Sequence, residues 1–204
     1  MKTNLRAMLP TVLLLVPAMA CSDGTPTGTP EGTAPAEVRI HGDAPAETSE
    51  SRSATTSASG ELDGSLDVKA RVWVQSEGGR WVEVTRGSAE QTVEASGEDG
   101  FRVLARSEIE TESYNRVRVE FERVRGDLSG AVLLGLAGGS AAVALDVGGD
   151  GRVTVEREIH FVASSGATTR LDIDLNAPAW AGESDGAGMV AEGAFASAVG
   201  ITAR

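Results

Sequence analysis

The chain has little with which to do chemistry. It holds one cysteine, two histidines and 4% aromatic residues in 204 positions. A single cysteine excludes a disulfide framework and any zinc site built on several thiolates. Two histidines leave little for a His-rich metal centre. Positive charge is scarce: 18 Lys and Arg stand against 30 Asp and Glu, a formal net charge of −12. Phosphate contacts need clustered Lys and Arg, so nucleic acid is not an expected partner. There is no G-x-S-x-G elbow, no H-E-x-x-H and no phosphate loop. A catalytic histidine needs a nucleophile or carboxylate brought close in space. His41 falls in a polar stretch, and His160 alternates with Thr154, Glu156 and Glu158, which reads as an exposed strand position. Nothing selects a glycosidase-like carboxylate pair from 30 acids. The expectation is a protein without catalytic residues or a small-molecule cofactor.

What is present starts at the N-terminus. Lys2 and Arg6 precede an apolar core from Leu9 to Val16. That core has the length of a secretory h-region and falls short of the roughly 20 residues a membrane-spanning helix needs. Ala18 and Ala20 are the small residues that signal peptidase accepts, and the only cysteine, Cys21, follows at once. The pattern Ala18-Met19-Ala20-Cys21 resembles the lipobox of bacterial lipoproteins, with Ala18 where that family usually has Leu. The resemblance implies cleavage between Ala20 and Cys21, a diacylglyceryl group on the Cys21 thiol, and a membrane partner held through acyl (palmitate-type) chains. The other reading is an ordinary signal peptide cut after Ala20 that leaves a free thiol. Ser22 resembles an outer-membrane address, while the inner-membrane retention residue Asp arrives one place late, at Asp23. Outer membrane is therefore favoured over inner. Without residues 1–20 the chain keeps 16 basic and 30 acidic residues, a net charge of −14. Anionic lipid would repel it, so attachment must come from more than one acyl chain.

Residues 21–60 read as the lipidated cysteine and a flexible tether. Four of the seven prolines lie there, with runs such as Ser49 to Gly60 that lack any large apolar residue. Such composition buries too little surface to offset chain entropy. One apolar patch, Val38-Arg39-Ile40, interrupts it and is either linker or a first strand, which would start the domain near residue 37.

From residue 61 to 204 the pattern is that of strands. Leu66, Val68, Ala70, Val72 and Val74 alternate with Asp67, Lys69, Arg71, Trp73 and Gln75. Glu77-Gly78-Gly79-Arg80 predicts the turn of a hairpin to Trp81-Val84. Further strands are expected at 91–95, 101–105, 114–124, 152–161 and 169–175. Ala131 to Val147 is expected as strand, glycine turn and strand, and Ala194 to Ile201 as a closing edge strand. No segment has a sustained helical period. The expected fold is all-β, an antiparallel sandwich of immunoglobulin- or prealbumin-like kind.

Three sets of residues invite a functional reading. Asp172, Asp174, Asn176 and Glu183 have the spacing of an EF-hand loop, whose oxygens wrap Ca²⁺. Against this, Ala177 stands where the sharp turn wants Gly, Pro178 follows, and the approach alternates as a strand. Asp146 and Asp150 in DVGGDG could also offer oxygens to calcium, or simply serve a tight turn. Trp73 falls on the polar face of its strand and Trp81 follows the turn, so they could form a surface for an envelope protein or a glycan. Trp180 reads as a plug at the end of the sandwich.

Tyr114-Asn115-Arg116-Val117-Arg118-Val119, Ile159-His160-Phe161 and Leu171-Asp172-Ile173-Asp174-Leu175 together resemble a family of uncharacterised surface lipoproteins with a Tyr-led Y-x-x-[IV]-R-[VL] strand. Its Gly before the Tyr is Ser113 here, and its early T-D-A-P corresponds to Gly42-Asp43-Ala44-Pro45. The resemblance implies a β-domain at the cell envelope and supplies no activity. The leading expectation is thus a lipid-anchored envelope protein with a non-catalytic binding or structural domain. A calcium-stabilised adhesion-type module or an envelope hydrolase is the alternative.

Overall fold

The computed structural model describes residues 32–43, 62–96, 100–130, 143–147, 152–185 and 188–204. The signal peptide, Ala20, Cys21, residues 22–31 and 44–61, and Asp150 lie outside them. The described residues form the expected all-β fold: two open sheets facing one another across a single core.

The larger sheet is built on two long strands, β2 (Leu62–Ser76) and β6 (Ser113–Gly130), which pair antiparallel along nearly their whole length. β2 carries β3 (Trp81–Glu83) at one end and β4 (Ala89–Glu94) at the other. β6 likewise carries β8 (Val153–Val162) and β7 (Val143–Val147), and the two-residue β10 (Met189–Val190) adds to β7. The smaller sheet runs in the order β11 (Gly200–Ala203), β9 (Thr169–Asp174), β1 (Thr33–His41), β5 (Arg102–Glu110). Alternation explains the core. Leu66, Val68, Ala70, Val72 and Val74 of β2 and Val117, Val119 and Phe121 of β6 are buried, and their odd or even neighbours face out.

Three expectations need correction. The tether reading fails over residues 32–43, because β1 is an inner strand of the smaller sheet. The start near 37 also falls short of its first residue, Thr33. Ala34, Ala36, Val38 and Ile40 are all buried. Pro35 is tolerated because it precedes the pairing with β9, which begins at Ala36, so it removes no rung there. Second, the sheets are not wholly antiparallel: β1–β9 and β10–β7 are parallel. Third, most of the stretch from Ala194 to Ile201 is helix. α1 (Ala177–Ala181) and α2 (Glu192–Ala198) are too short to leave a helical period, and only Gly200–Ala203 forms the edge strand.

These two helices fill the space between the sheets. Trp180 is fully buried and its indole Nε1–H donates to the Leu175 carbonyl at 2.8 Å. Phe195 packs edge-on against both Trp180 and Phe121, with centroids 5.3 and 5.0 Å away. Arg157 faces inward from β8 and donates to the Ala196 and Val199 carbonyls at 2.7 and 2.9 Å, holding the C-terminal end of α2. At the β5–β6 corner, Tyr114 stacks on Phe161 and its hydroxyl donates to the Glu110 carbonyl at 3.0 Å. A tyrosine tied back to the backbone just upstream is a recurrent corner device of sandwiches. Burial pushes that phenol well above its ordinary range. Gly32 is fixed at the same corner, its carbonyl accepting from the Thr111 N–H at 3.0 Å.

Candidate functional site

The two tryptophans singled out by sequence do share a surface. Both stand half-buried on the outer face of the larger sheet. The pairing register sets them in two neighbouring rows across four strands. One row reads Glu83, Trp73, Arg118, Glu156; the next reads Trp81, Gln75, Arg116, Glu158. At about 4.8 Å between strands, each row spans about 14 Å.

The charges in these rows are matched. Arg118 Nε meets Glu156 Oε1 at 2.6 Å, and Arg116 meets Glu158 at 3.1 Å. Glu83 accepts from the Gly87 N–H at 2.8 Å, and Gln75 donates to the Gly79 carbonyl at 3.0 Å. Exposed pairs of this kind add about 0–1 kcal/mol each, so they order the surface more than they stabilise the fold. The Arg118 guanidinium also lies 4.2 Å from the Trp81 ring centroid, a cation–π contact. Among the described residues no ring or cation packs on Trp73. The two indoles therefore differ: Trp81 is engaged by Arg118, and Trp73 is not.

Farther along the same face, Glu122 gathers Lys69 at 3.1 Å and Arg71 at 2.8 Å. A hydrogen bond from Ser88 is the largest influence on its carboxyl, and together with those two cations it outweighs burial and holds the group below the ordinary glutamate range. Arg123 pairs with Glu90 beside it.

The smaller sheet carries a cluster that the sequence did not announce. Asp172 faces out from β9, yet it is only 3% exposed. Arg39 clasps it with two bonds of 2.7 Å, and Arg204 approaches to 3.8 Å. The carboxylate raises the Arg39 pKa, chiefly through that hydrogen bond. Arg39 stacks on Phe101 at 4.9 Å, and Phe101 meets His41 at 4.8 Å. His41, expected in the tether, is thus buried on β1. Only a register between residues 133 apart in sequence could have disclosed the Arg39–Asp172 pair.

The calcium spacing is not realised as a loop. Asp172 and Asp174 lie in β9 and Asn176 caps α1 with a left-handed φ of 50°. Asp174 accepts from the Asn176 backbone N–H at 2.9 Å, and Glu183 is exposed beyond α1. No group of three or more His, Cys, Asp or Glu among the described residues could hold a metal ion. Asp146 belongs to β7, and its partner in that reading, Asp150, is outside the described residues. His160 is exposed on β8. An open depression of about 620 Å³ lies at the β5–β6 corner, bordered by Glu77, Glu112, Ser113, Val162 and Ser164.

No family model, curated protein or solved structure significantly matches the chain.

Proposed function

We propose that the chain is a lipid-anchored protein of the bacterial cell envelope, exported by residues 1–20 and acylated at Cys21, with outer membrane favoured over inner. The β-sandwich is its working part and serves as a non-catalytic binding or structural module for an envelope protein or glycan. The observation that carries the reading is the only cysteine of the chain, placed directly after a short apolar core and two small alanines. A chain of 204 residues that keeps one thiol at that place has an evident use for it. The net charge of −14 after cleavage fits an anchor made of acyl chains, since the protein gains nothing from anionic headgroups. The layout of leader, polar segment and β-domain, and the Tyr114–Val119 strand, resemble envelope lipoproteins and support the same location.

The test is membrane fractionation with fatty-acid labelling. The wild-type chain should pellet with membranes and incorporate a labelled fatty acid. Cys21→Ser should lose the label and move to the soluble fraction. Retention of Cys21→Ser in the membrane overturns the anchor.

A further inference from the structure

We infer that the two rows containing Trp73 and Trp81 bind a neutral, extended glycan chain, stacked on the Trp73 indole and hydrogen-bonded along the Arg118–Glu156 and Arg116–Glu158 pairs. This deepens the binding role proposed above and rests on it.

The argument starts from charge. The eight positions hold two arginines and three glutamates, so a polyanion finds no net positive field. The arginines are already paired with carboxylates, and the third carboxylate, Glu83, accepts a backbone N–H. A charged partner would have to break these contacts. A polyol need not, because each hydroxyl both donates and accepts, and paired guanidinium and carboxylate groups keep outward donors and acceptors. Exposure leaves them within reach: Arg118 is 36% exposed, Glu156 39%, Arg116 44% and Glu158 76%.

Shape and composition agree. The rows contain no aliphatic side chain, whereas the buried centre of a protein–protein interface is largely apolar. Here two guanidiniums and the Gln75 amide share the middle with Trp73, and the carboxylates take the ends. The apolar element is Trp73, whose ring carries no cation or aromatic neighbour among the described residues. A pyranose presents a flat C–H face to such a ring and its hydroxyls to the surrounding charges. Trp81 is held by Arg118 and so fixes the guanidinium in place. An open sheet face about 14 Å across suits a linear chain better than a compact ligand.

The probe is a hexamer of β-1,4-linked N-acetylglucosamine, titrated against the mature full chain in detergent micelles and followed by tryptophan emission and by calorimetry. Heparin serves as the polyanionic comparator. Saturable binding of the hexamer is expected, with heparin much weaker. Trp73→Ala should weaken hexamer binding about tenfold or more, the loss of one stacked ring. Glu158→Gln removes one acceptor without touching either indole and should weaken it by about threefold, at unchanged melting temperature. Absence of saturable hexamer binding overturns the inference, as does equal binding by Trp73→Ala. Tighter binding of heparin overturns it too. A photo-crosslinker at Gln75 that captures a protein and no glycan in the intact envelope has the same effect. Anchoring is read separately by fractionation of Cys21→Ser, so either reading can fail while the other stands.

Discussion

Asp172 and Arg39 are partners with unequal freedom. Asp172 is 3% exposed, whereas the Arg39 side chain is 23% exposed. Removing the arginine strands a buried carboxylate that only the more distant Arg204 can partly compensate. Removing the carboxylate leaves an arginine that can swing toward water. The order of the two costs follows: Arg39→Ala should destabilise by about 3–4 kcal/mol and Asp172→Ala by about 1.5–2.5 kcal/mol. Urea unfolding midpoints at constant m-value measure both. The reverse order would mean that Asp172 is better hydrated than its burial indicates. The same pair marks a limit of sequence reading. The alternation of Leu171, Asp172, Ile173 and Asp174 turns Asp172 away from the core, a position where exposure to solvent would be the ordinary outcome. Its burial comes from residues on β1 and β11 whose adjacency no local pattern encodes.

Elements were legible where alternation was long and missed where it was short. β2, β6, β8 and β9 could be drawn from their apolar residues alone. β1 hid in a Pro-, Thr- and Ala-rich stretch because two of its inward positions, Ala34 and Ala36, are too small to signal a core. The five-residue α1 and seven-residue α2 offered no full amphipathic period. Of the candidate site, Trp73 and Trp81 were legible, since their strand and hairpin were. Arg118 and Glu156 as their companions required the β2–β6–β8 register. Within elements, backbone shape sets a second kind of constraint. Gly64 lies in β2 at φ +121°, and a Cβ there would stand 2.1 Å from the Asp127 carbonyl oxygen across the β2–β6 ladder. Gly79, in the hairpin turn at φ +85°, would meet nothing within 4 Å. Gly64→Ala should therefore cost about 3 kcal/mol or more, combining strain with a displaced strand. Gly79→Ala should cost only about 1–2 kcal/mol of backbone strain. Thermal melts of the two variants make the comparison. β8, an edge strand, carries the inward-facing Arg157, and such a charge guards an edge against pairing with another chain.

For the molecule as a whole, the placement of β1 changes how the domain would meet a membrane. Because Gly32 is fixed at the β5–β6 corner, the proposed anchor at Cys21 is eleven residue steps from the fold and not forty. Eleven residue steps span less than about 40 Å at full extension. The stretch 44–61 is a connection from β1 to β2 within the domain and adds nothing to that reach. With Cys21 acylated as proposed, so short a leash would give the sandwich a preferred orientation. The corner with Gly32, Thr111 and Ser165 would then turn toward the lipid, and the opposite end, where Gly42 abuts Ala95, would turn away. In vesicles carrying the acylated protein, a dye on Ser165→Cys should be quenched by headgroup-linked quenchers more strongly than one on Ser96→Cys. Equal quenching would mean that the domain tumbles freely on its anchor. The rows with Trp73 and Trp81 lie beside the Gly32 corner, because Ser76 pairs with Tyr114 there and Glu77 borders the same depression as Thr111. On an acylated chain those rows would stand close to the membrane surface and face along it, within reach of a polymer lying near the bilayer.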